Sequence, residues 1–248
     1  MRIKELTMNK TEYEKIDSYM QMHMDQTDPV HGKEHIYRVL KNALNIAEYC
    51  EEKVDRDVLI TACLLHDIGR HEQNKSLGLD HAQTGSKMAY DYLISVGWNK
   101  EKASHVSAAI KSHTIRKEDS ELTIEAKILF DADKIDALGF IGIARLLMYD
   151  GMKGKALYNL SETNEVCLEA DMSESSTFIQ EYNWKMAVVD TLYTSYAKEM
   201  AAVRAEKTID FYNGLLEEIT FYISDLDIGD DTFKLNLRDG NRILLSMD

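Results

Sequence analysis

The sequence is poor in the residues that interrupt helices. It contains one proline, Pro29, and 12 glycines among 248 residues. Proline breaks helix interiors and glycine weakens them, so this composition favours long helices joined by short loops. The hydrophobic content of 44% is enough for one large domain or two small ones. We therefore predict an all-α protein, and no internal repeat or low-complexity segment is visible in it.

Cysteines are few, and an export or membrane segment is missing. Cys50, Cys63 and Cys167 form no C-x-x-C pair, and their odd number and largely apolar surroundings indicate reduced, packed thiols. The first fifteen residues lack the apolar core of a signal peptide. No uncharged apolar run approaches the ~20 residues that span a bilayer. We expect a soluble protein of the cytoplasm with no membrane partner.

Positive charge is also scarce. The chain has 43 acidic against 29 basic residues, for a formal net charge of -14. Such a surface repels a nucleic-acid backbone, so binding to a nucleic-acid polymer is disfavoured. A small nucleotide is not excluded, because its phosphates need only a local basic pocket or a metal ion.

Hydrophobic periodicity predicts a series of helices. Thr11 and Glu14 have the spacing of a capping box at the start of the first one. The predicted helices span residues 11–24, 33–53, 57–67, 81–96, 99–113 and 123–136, then a glycine-softened stretch at 138–148, and 177–219 with one break or kink. Two polar segments, 71–80 and 150–175, are predicted as loops, and the second could serve as a lid.

The end of the chain has a different pattern. Apolar residues alternate with polar ones at 233–237 and 243–247 around Asp239-Gly240, and Asp-Gly is a strong hairpin signal. We predict a small C-terminal β-hairpin, for which packing or self-association, as in a homodimer, is the ordinary role. The predicted organisation is an N-terminal helix at 1–24, a helical bundle at 25–220 and an extension at 221–248.

One apolar run, beginning at Ala62, ends abruptly in His66, Asp67 and Gly69. Gly69 is suited to end a helix. Because the chain turns there, the imidazole and the carboxylate can converge on one point and ligate a divalent metal. The ordinary explanation of an isolated His-Asp pair is a buried helix end, since short motifs match often by chance.

Other histidines occur at the ends of other predicted helices. His31 and His35 are four residues apart and share a helix face, with Arg38 one turn further along. His81 and His113 bracket two helices and could approach the same cavity. Taken singly, each has a structural explanation, such as a favourable interaction with a helix dipole. His23, His71 and His105 are placed outside the site.

Three acidic residues crowd one predicted helix, at Asp131, Asp133 and Asp136. Carboxylates on an apolar helix are costly unless cations neutralise them. A solvated acidic face is the alternative explanation. The order along the chain, with His first, then His-Asp and then Asp, each on its own helix, favours an internal site.

This order resembles the H…HD…D signature of the HD-domain metal-dependent phosphohydrolases. His35, His66, Asp67 and Asp133 fall at the four signature positions. The longest matching stretch is residues 131–145, and the resemblance covers roughly residues 25–220. The tail beyond about residue 221 lies outside it.

Within that family the sequence is similar to the small stand-alone bacterial HD hydrolases. These share Asp28-x-x-His31-x-x-x-His35, the helix start at His81 and the histidine at His113. The branch that cleaves cyclic dinucleotides would require a GYP stretch, which this sequence lacks. Family members vary in substrate, so the signature indicates the chemistry better than the molecule.

The resemblance implies a helical-bundle HD domain that uses a metal to activate water against phosphorus. His35, His66, Asp67 and Asp133 would bind the divalent metal, which could be Mn, Mg, Fe, Co, Ni or Zn. Asp67 would also orient or deprotonate water, with Arg70 as its catalytic partner. Asp131 and Asp136 would support the ligands from behind. The candidates for contacting phosphate are His31, Arg38, Lys75, His81, His113, Lys134 and Arg145.

The expected activity is hydrolysis of a phosphoester or phosphoanhydride bond in a small phosphorylated substrate, in the first place a nucleotide. Release of phosphate and release of pyrophosphate both stay open. A non-catalytic metal or nucleotide sensor with the same fold is the alternative from another class, and a purely structural helical protein is a third.

Overall fold

The computed structural model describes residues 8–24, 28, 30–75, 79–114, 122–161, 165–169, 176–229, 232–236 and 242–246, with backbone alone at 183–184 and 221–246. In this part of the chain the helices are α1 (Lys10–His23), α2 (Lys33–Glu48), α3 (Arg56–Leu65), α4 (Arg70–Lys75), α5 (His81–Ser95), α6 (Lys100–Ser112), α7 (Ile124–Ile135), α8 (Gly139–Met152), α9 (Phe178–Met186) and α10 (Ser195–Asp225), with a 3-10 helix at Ala187–Thr191. The strands are β1 (Leu226–Gly229), β2 (Thr232–Asn236) and β3 (Arg242–Ser246).

The all-α prediction is confirmed, with corrections at several helix ends. The first helix is capped by Asn9 and Glu12 rather than by Thr11 and Glu14, because Asn9 already accepts a hydrogen bond from the backbone N–H of Glu12. The second helix ends at Glu48, short of the predicted residue 53. Among the helices that the structure describes, none combines the length and apolarity needed to cross a bilayer.

The predicted polar segments are partly structured. Part of 71–80 is helical, since α4 begins at Arg70 directly after the His-Asp pair. Within 150–175, α8 continues to Met152 and an isolated bridge joins Leu160 to Val166. Residues 76–78, 162–164 and 170–175 lie outside the described part. The break predicted within 177–219 is present as the 3-10 helix between α9 and α10.

Helix α3 lies at the centre of the bundle. Every residue from Asp57 to Leu65 is buried, and the helix packs against α1, α2, α6 and α7. Asp55 caps its N-terminus by accepting hydrogen bonds from the backbone N–H groups of Asp57 and Val58. With the helix held on all sides, the residues that follow Leu65 are fixed in the interior.

A smaller apolar cluster joins α8, α9 and α10. It is built from Ile143, Leu146, Phe178, Ile179, Tyr212 and Ile219. The main core, by contrast, extends from Ile16 and Met20 on α1 to Ala201 on α10. The proposed boundaries at residues 24 and 220 stay predictions, and α10 itself continues to Asp225.

The C-terminal strands form an antiparallel sheet in the order β1-β2-β3. The predicted hairpin is present as β2 and β3, with Phe233 opposite Leu245 and Leu235 opposite Ile243. Strand β1 was missed because its four residues, Leu226–Gly229, follow α10 without a break. The predicted turn at Asp239-Gly240 lies outside the described residues.

Gly69 allows the end of the central helix region to contact α5. A Cβ at this position would lie 2.2 Å from the carbonyl oxygen of His81 and 2.6 Å from the backbone nitrogen of Gly85. The glycine is therefore needed for close backbone approach, and this packing places His81 beside the His-Asp pair.

We expect Gly69→Ala to destabilise the protein by roughly 1–3 kcal/mol, because the clash is with backbone that cannot rotate away. Gly151→Ala is the matched control, since a Cβ there meets nothing within 4 Å. Urea unfolding followed by circular dichroism measures both. Equal stability of the two variants would contradict this account of Gly69.

Asp150 on α8 is buried, and neither of its carboxyl oxygens has a hydrogen bond within the described residues. Burial, reinforced by the negative charge of Glu181 and opposed by Lys155 and Lys185, raises its pKa from 3.8 to about 6. The folded protein therefore binds more protons here than the unfolded chain between these two values, and the free energy of unfolding falls as pH rises through that window.

Asp150→Asn should remove this loss of stability at higher pH, because an amide does not ionise. Above pH 6 we expect the free energy of unfolding of the variant to be roughly 1 kcal/mol larger than that of the wild type, which corresponds to about 2–4 °C in Tm. Near pH 4 we expect no gain in stability. Thermal unfolding at both pH values tests this, with the exposed Asp190→Asn as control. A gain that is the same at both pH values would show that the titration of Asp150 is not its cause.

Candidate metal centre and substrate cavity

Five helical segments bring the four predicted metal ligands and two of the predicted phosphate contacts to one point. His35 lies in the first turn of α2, and His66 and Asp67 directly follow α3. Asp133 lies in the last turn of α7. His81 begins α5, and His113 follows α6 as its C-cap.

The four signature residues converge around Asp67. Its Oδ2 lies 3.7 Å from His35 Nε2 and 3.6 Å from His66 Nε2. Asp133 Oδ1 lies 3.4 Å from His35 Nε2 and 4.0 Å from His66 Nε2. The tertiary structure thus assembles residues that are almost 100 positions apart in the sequence.

A second group of donors uses the other oxygen of Asp67. Its Oδ1 lies 3.6 Å from His81 Nε2 and 3.6 Å from His113 Nε2. In each of the two groups, His35-His66-Asp67 and Asp67-His81-His113, one donor atom per residue lies within 4.8 Å of the others. Asp67 is common to both.

The donor atoms of these groups suit a divalent metal ion. Nε2 of His35, His66, His81 and His113 and Oδ1 of Asp67 are buried without a hydrogen-bond partner in the described part of the chain. Leaving buried polar atoms unpaired costs free energy, and several unpaired atoms facing one another point to a common ligand. Nitrogen and carboxylate oxygen together match the preferences of first-row divalent ions.

The opposite ring nitrogens are held in place. His66 Nδ1 lies 2.8 Å from the carbonyl oxygen of Cys63, and His113 Nδ1 lies 2.6 Å from that of Ile110. His35 Nδ1 lies 2.8 Å from Asp136 Oδ2. Such contacts fix ring orientation and leave Nε2 available, as in many metal-binding histidines.

The protonation states of His66, His81 and Asp67 also suit metal binding. Burial lowers the pKa of His66 to about 4. Burial, assisted by the positive charge of Arg70, lowers the pKa of His81 to about 3. Burial would raise the pKa of the Asp67 carboxyl, but Arg70 and His66 together hold it well below its usual value. Near neutral pH these groups are therefore neutral imidazoles and an ionised carboxylate.

Asp136 organises the basic groups behind His35. Its carboxylate is fully buried and accepts hydrogen bonds from Arg38 at 2.8 and 3.0 Å and from Arg145 at 2.8 Å, in addition to its contact with His35. The carboxylate thus lies against the predicted ligand His35, and its supporting role stays a prediction. Arg38 is held on this carboxylate and does not line the cavity described next.

A cavity of about 740 Å³ opens next to this candidate metal centre. Of the predicted substrate contacts, His31, His81, Lys134 and Arg145 line it, together with the predicted catalytic residue Arg70 and the predicted metal ligand Asp133. His113 is fully buried and faces Asp67 instead.

Two predicted residues lie elsewhere. Asp131 accepts hydrogen bonds from the backbone N–H groups of Tyr193 and Thr194, at 2.8 Å each, and so fixes the start of α10. It therefore points away from the side on which Asp133 lies, because residues two apart on a helix point to nearly opposite sides, and its predicted support of the ligands stays a prediction. Lys75 pairs with Glu72 at 3.2 Å on the exposed surface of α4 and does not line the cavity.

The cavity also contains residues that were not predicted for the site, among them Gln73, Tyr149, Lys153 and Lys185. A signal for two of them was present, because Arg145, Tyr149 and Lys153 follow at intervals of four and share one face of α8. Lys185 had no comparable signal, since α9 approaches the cavity only through the packing of the second apolar cluster.

A second cavity, near the N-terminus of α3, has its charges paired internally. Lys102 Nζ lies 3.4 Å from Asp55 and 3.3 Å from Asp57, and His105 Nε2 lies 3.0 Å from Glu125. These pairs offer no set of unsatisfied donors comparable to the centre at Asp67.

Comparison with known proteins agrees with the fold and the signature. Residues 32–138 match the HD domain family. YpgQ of Bacillus subtilis (strain 168) is 29% identical over 210 residues, which make up 83% of this chain and 93% of that protein. The crystal structure of Bacillus subtilis YpgQ in complex with ADP has a TM-score of 0.63 at 28% identity, covering 84% of this chain and 95% of that one.

A further similar structure is that of a predicted HD superfamily hydrolase from an uncultured Thermotogales bacterium. Its TM-score is 0.57 at 29% identity, with coverage of 85% of this chain and 99% of that one. The segment that matches the family contains His35, His66, Asp67 and Asp133, which are the residues that converge in the structure. The chain therefore contains an HD domain, and the solved structures similar to the chain include a predicted HD superfamily hydrolase.

Proposed function

We propose that the protein is a divalent-metal-dependent phosphohydrolase that cleaves a phosphoester or phosphoanhydride bond in a small substrate, in the first place a nucleotide. The observation that carries the proposal is the set of buried, unpaired His and Asp donor atoms beside a cavity with basic walls. The ADP complex of the relative YpgQ supports a nucleotide as the substrate class.

His35, His66, Asp67 and Asp133 would hold the metal, and Asp67 with His81 and His113 offers a second donor set. A divalent ion supplies Lewis acidity toward a phosphoryl oxygen and makes water a stronger acid. Mn, Mg, Fe, Co, Ni and Zn are all compatible with nitrogen and oxygen donors.

Asp67 and Arg70 would act as a unit in the reaction. Arg70 donates from Nε to Asp67 Oδ2 at 2.6 Å, which holds the carboxylate ionised and in one orientation. Asp67 Oδ1 is then the oxygen available to orient or deprotonate the attacking water. Because Arg70 also lines the cavity, its remaining N–H groups can meet a phosphate.

The remaining basic groups would place the substrate against a site that is rich in carboxylates. Lys134 Nζ lies 2.8 Å from Asp133 Oδ2, and Arg145 contacts Asp136. These pairs reduce the repulsion between the acidic centre and an incoming phosphate. His31, held at 2.8 Å by Asp28, offers a further polar contact on the cavity wall.

We expect Asp67→Ala to lose both bound metal and phosphohydrolase activity, the activity by about 10³-fold or more, since the residue belongs to both donor sets. Metal content is measured by mass spectrometry after purification, and activity by phosphate release. Asp91→Asn, on the exposed face of α5, is the control and should retain both. A folded Asp67→Ala protein with unchanged metal content and activity would exclude this site.

Removal of metal should abolish turnover and lower the thermal stability. We expect the metal-free protein, prepared with EDTA, to melt at a lower temperature and to recover on addition of Mn or Mg, because the ion satisfies atoms that are otherwise unpaired. A nucleotide screen with separate detection of phosphate and pyrophosphate then identifies the bond that is cleaved. Tight nucleotide binding without turnover under all metals would favour the sensor alternative instead.

A further inference from the structure

The basic side chains on the wall of the substrate cavity fall into two groups. Arg70, Lys134 and Arg145 each contact a carboxylate of the metal centre, at 2.6, 2.8 and 2.8 Å. Lys153 and Lys185 line the same cavity, but neither has an ion pair or hydrogen bond with any residue that the structure describes. We call these two residues the outer lysines.

The outer lysines lie away from the four signature residues. Lys153 follows Arg145 by two turns on the same face of α8, which is about 12 Å along a helix that rises 1.5 Å per residue. Its Nζ lies 5.7 Å from the centre of the Tyr149 ring, in a cation–π contact that leaves the charge uncompensated. Positive charge therefore continues along the cavity beyond the residues needed to balance the metal centre.

Lys185 forms no ion pair with the acid one turn away on its own helix, because that acid is engaged elsewhere. Glu181 lies one turn earlier on α9, at the spacing of a helical ion pair, but its carboxylate pairs with Lys155. Lys155 Nζ also lies 3.9 Å from Asp150. Burial lowers the pKa of the Lys185 ammonium, although Glu181 and Asp150 oppose this. A half-buried, unpaired ammonium on a cavity wall is costly unless an anion binds there.

We propose that Lys153 and Lys185 form a second anion subsite, which binds a phosphoryl group of the substrate other than the one at the metal centre. The inference rests on the proposed function and specifies its substrate class, namely small molecules with more than one phosphoryl group. The lysines act as point charges, which suits a phosphate that must be bound without being cleaved. They are specificity-determining residues and take no part in the chemical step.

The test measures binding of AMP, ADP and ATP to the full-length chain in EDTA by isothermal titration calorimetry. Removing the metal isolates the contribution of the protein's own charges. We expect affinity to rise with the number of phosphates in the wild type. In Lys185→Met and Lys153→Met the affinity for ATP should fall by about ten-fold, with AMP binding changed by less than about three-fold, because only the additional phosphates reach the outer lysines.

Lys87→Met, on the exposed surface of α5, makes the same chemical change outside the cavity and should leave all three affinities unchanged. Circular dichroism confirms that each variant is folded. The proposal is overturned if the wild type binds the three nucleotides equally or binds none of them. Equal weakening of all three by the outer-lysine substitutions would also overturn it.

Failure of this proposal can be told apart from failure of the proposed function. If nucleotide binding depends on the two lysines but no hydrolysis occurs in the presence of Mn or Mg, the subsite is retained and the phosphohydrolase is refuted. If the protein hydrolyses nucleotides but neither lysine substitution changes the KM for AMP, ADP or ATP, the phosphohydrolase is retained and the subsite is refuted.

Discussion

The structure depends on one buried carboxylate at the end of a completely buried helix. Asp67 follows α3, whose residues from Asp57 to Leu65 have no exposed face, so its charge cannot reach bulk water. An isolated ionised carboxylate in such a place would be too costly to keep. Arg70 on one oxygen balances its charge, and imidazole nitrogens lie near both oxygens. The remaining unpaired nitrogens are the feature from which metal binding is inferred.

The other carboxylates of the site are also paired with basic side chains. Asp133 has Lys134, and Asp136 has Arg38, Arg145 and His35, so each carboxylate near the centre has at least one basic partner. Near the centre, positive charge is thus used to hold acids in place. Further along the cavity the charge balance becomes more positive, because Lys153 and Lys185 form no ion pair with a carboxylate among the described residues. A cavity with a neutralised inner end and a positive outer region is suited to an elongated anion.

Close backbone packing supports this electrostatic arrangement. Gly69 and Gly85 allow the turn after Asp67 to lie against α5, which places His81 on the second oxygen of Asp67. From the sequence, Gly69 was predicted to end a helix, which is a local role. In the structure, Gly69 allows the turn after Asp67 to contact α5. The local sequence around Gly69 does not reveal which helix packs against it.

Much of the fold followed from the sequence, because helices depend on periodicity and capping that are encoded locally. The succession of helices and the C-terminal hairpin were predicted in this way, and the errors lie mainly at ends, as with Asn9 in place of Thr11. The four signature residues were also identified, through their order along the chain and their resemblance to the family. Asp131 shows the limit of such a pattern, since it lies in the same acidic run as Asp133 yet holds Tyr193 and Thr194.

The sequence by itself determined which residue types are available for metal chemistry and on which helices they lie. Only the tertiary structure decided that Asp67 joins two groups of donors, that Asp136 is the common partner of Arg38, Arg145 and His35, and that α9 brings Lys185 to the cavity. These relations join residues as distant in the sequence as His35 and Asp136, which are 101 positions apart. They arise from helix packing around α3 and within the second cluster. Local propensity contains no information about such distances, because the energy that sets them comes from burial of surfaces contributed by the whole chain.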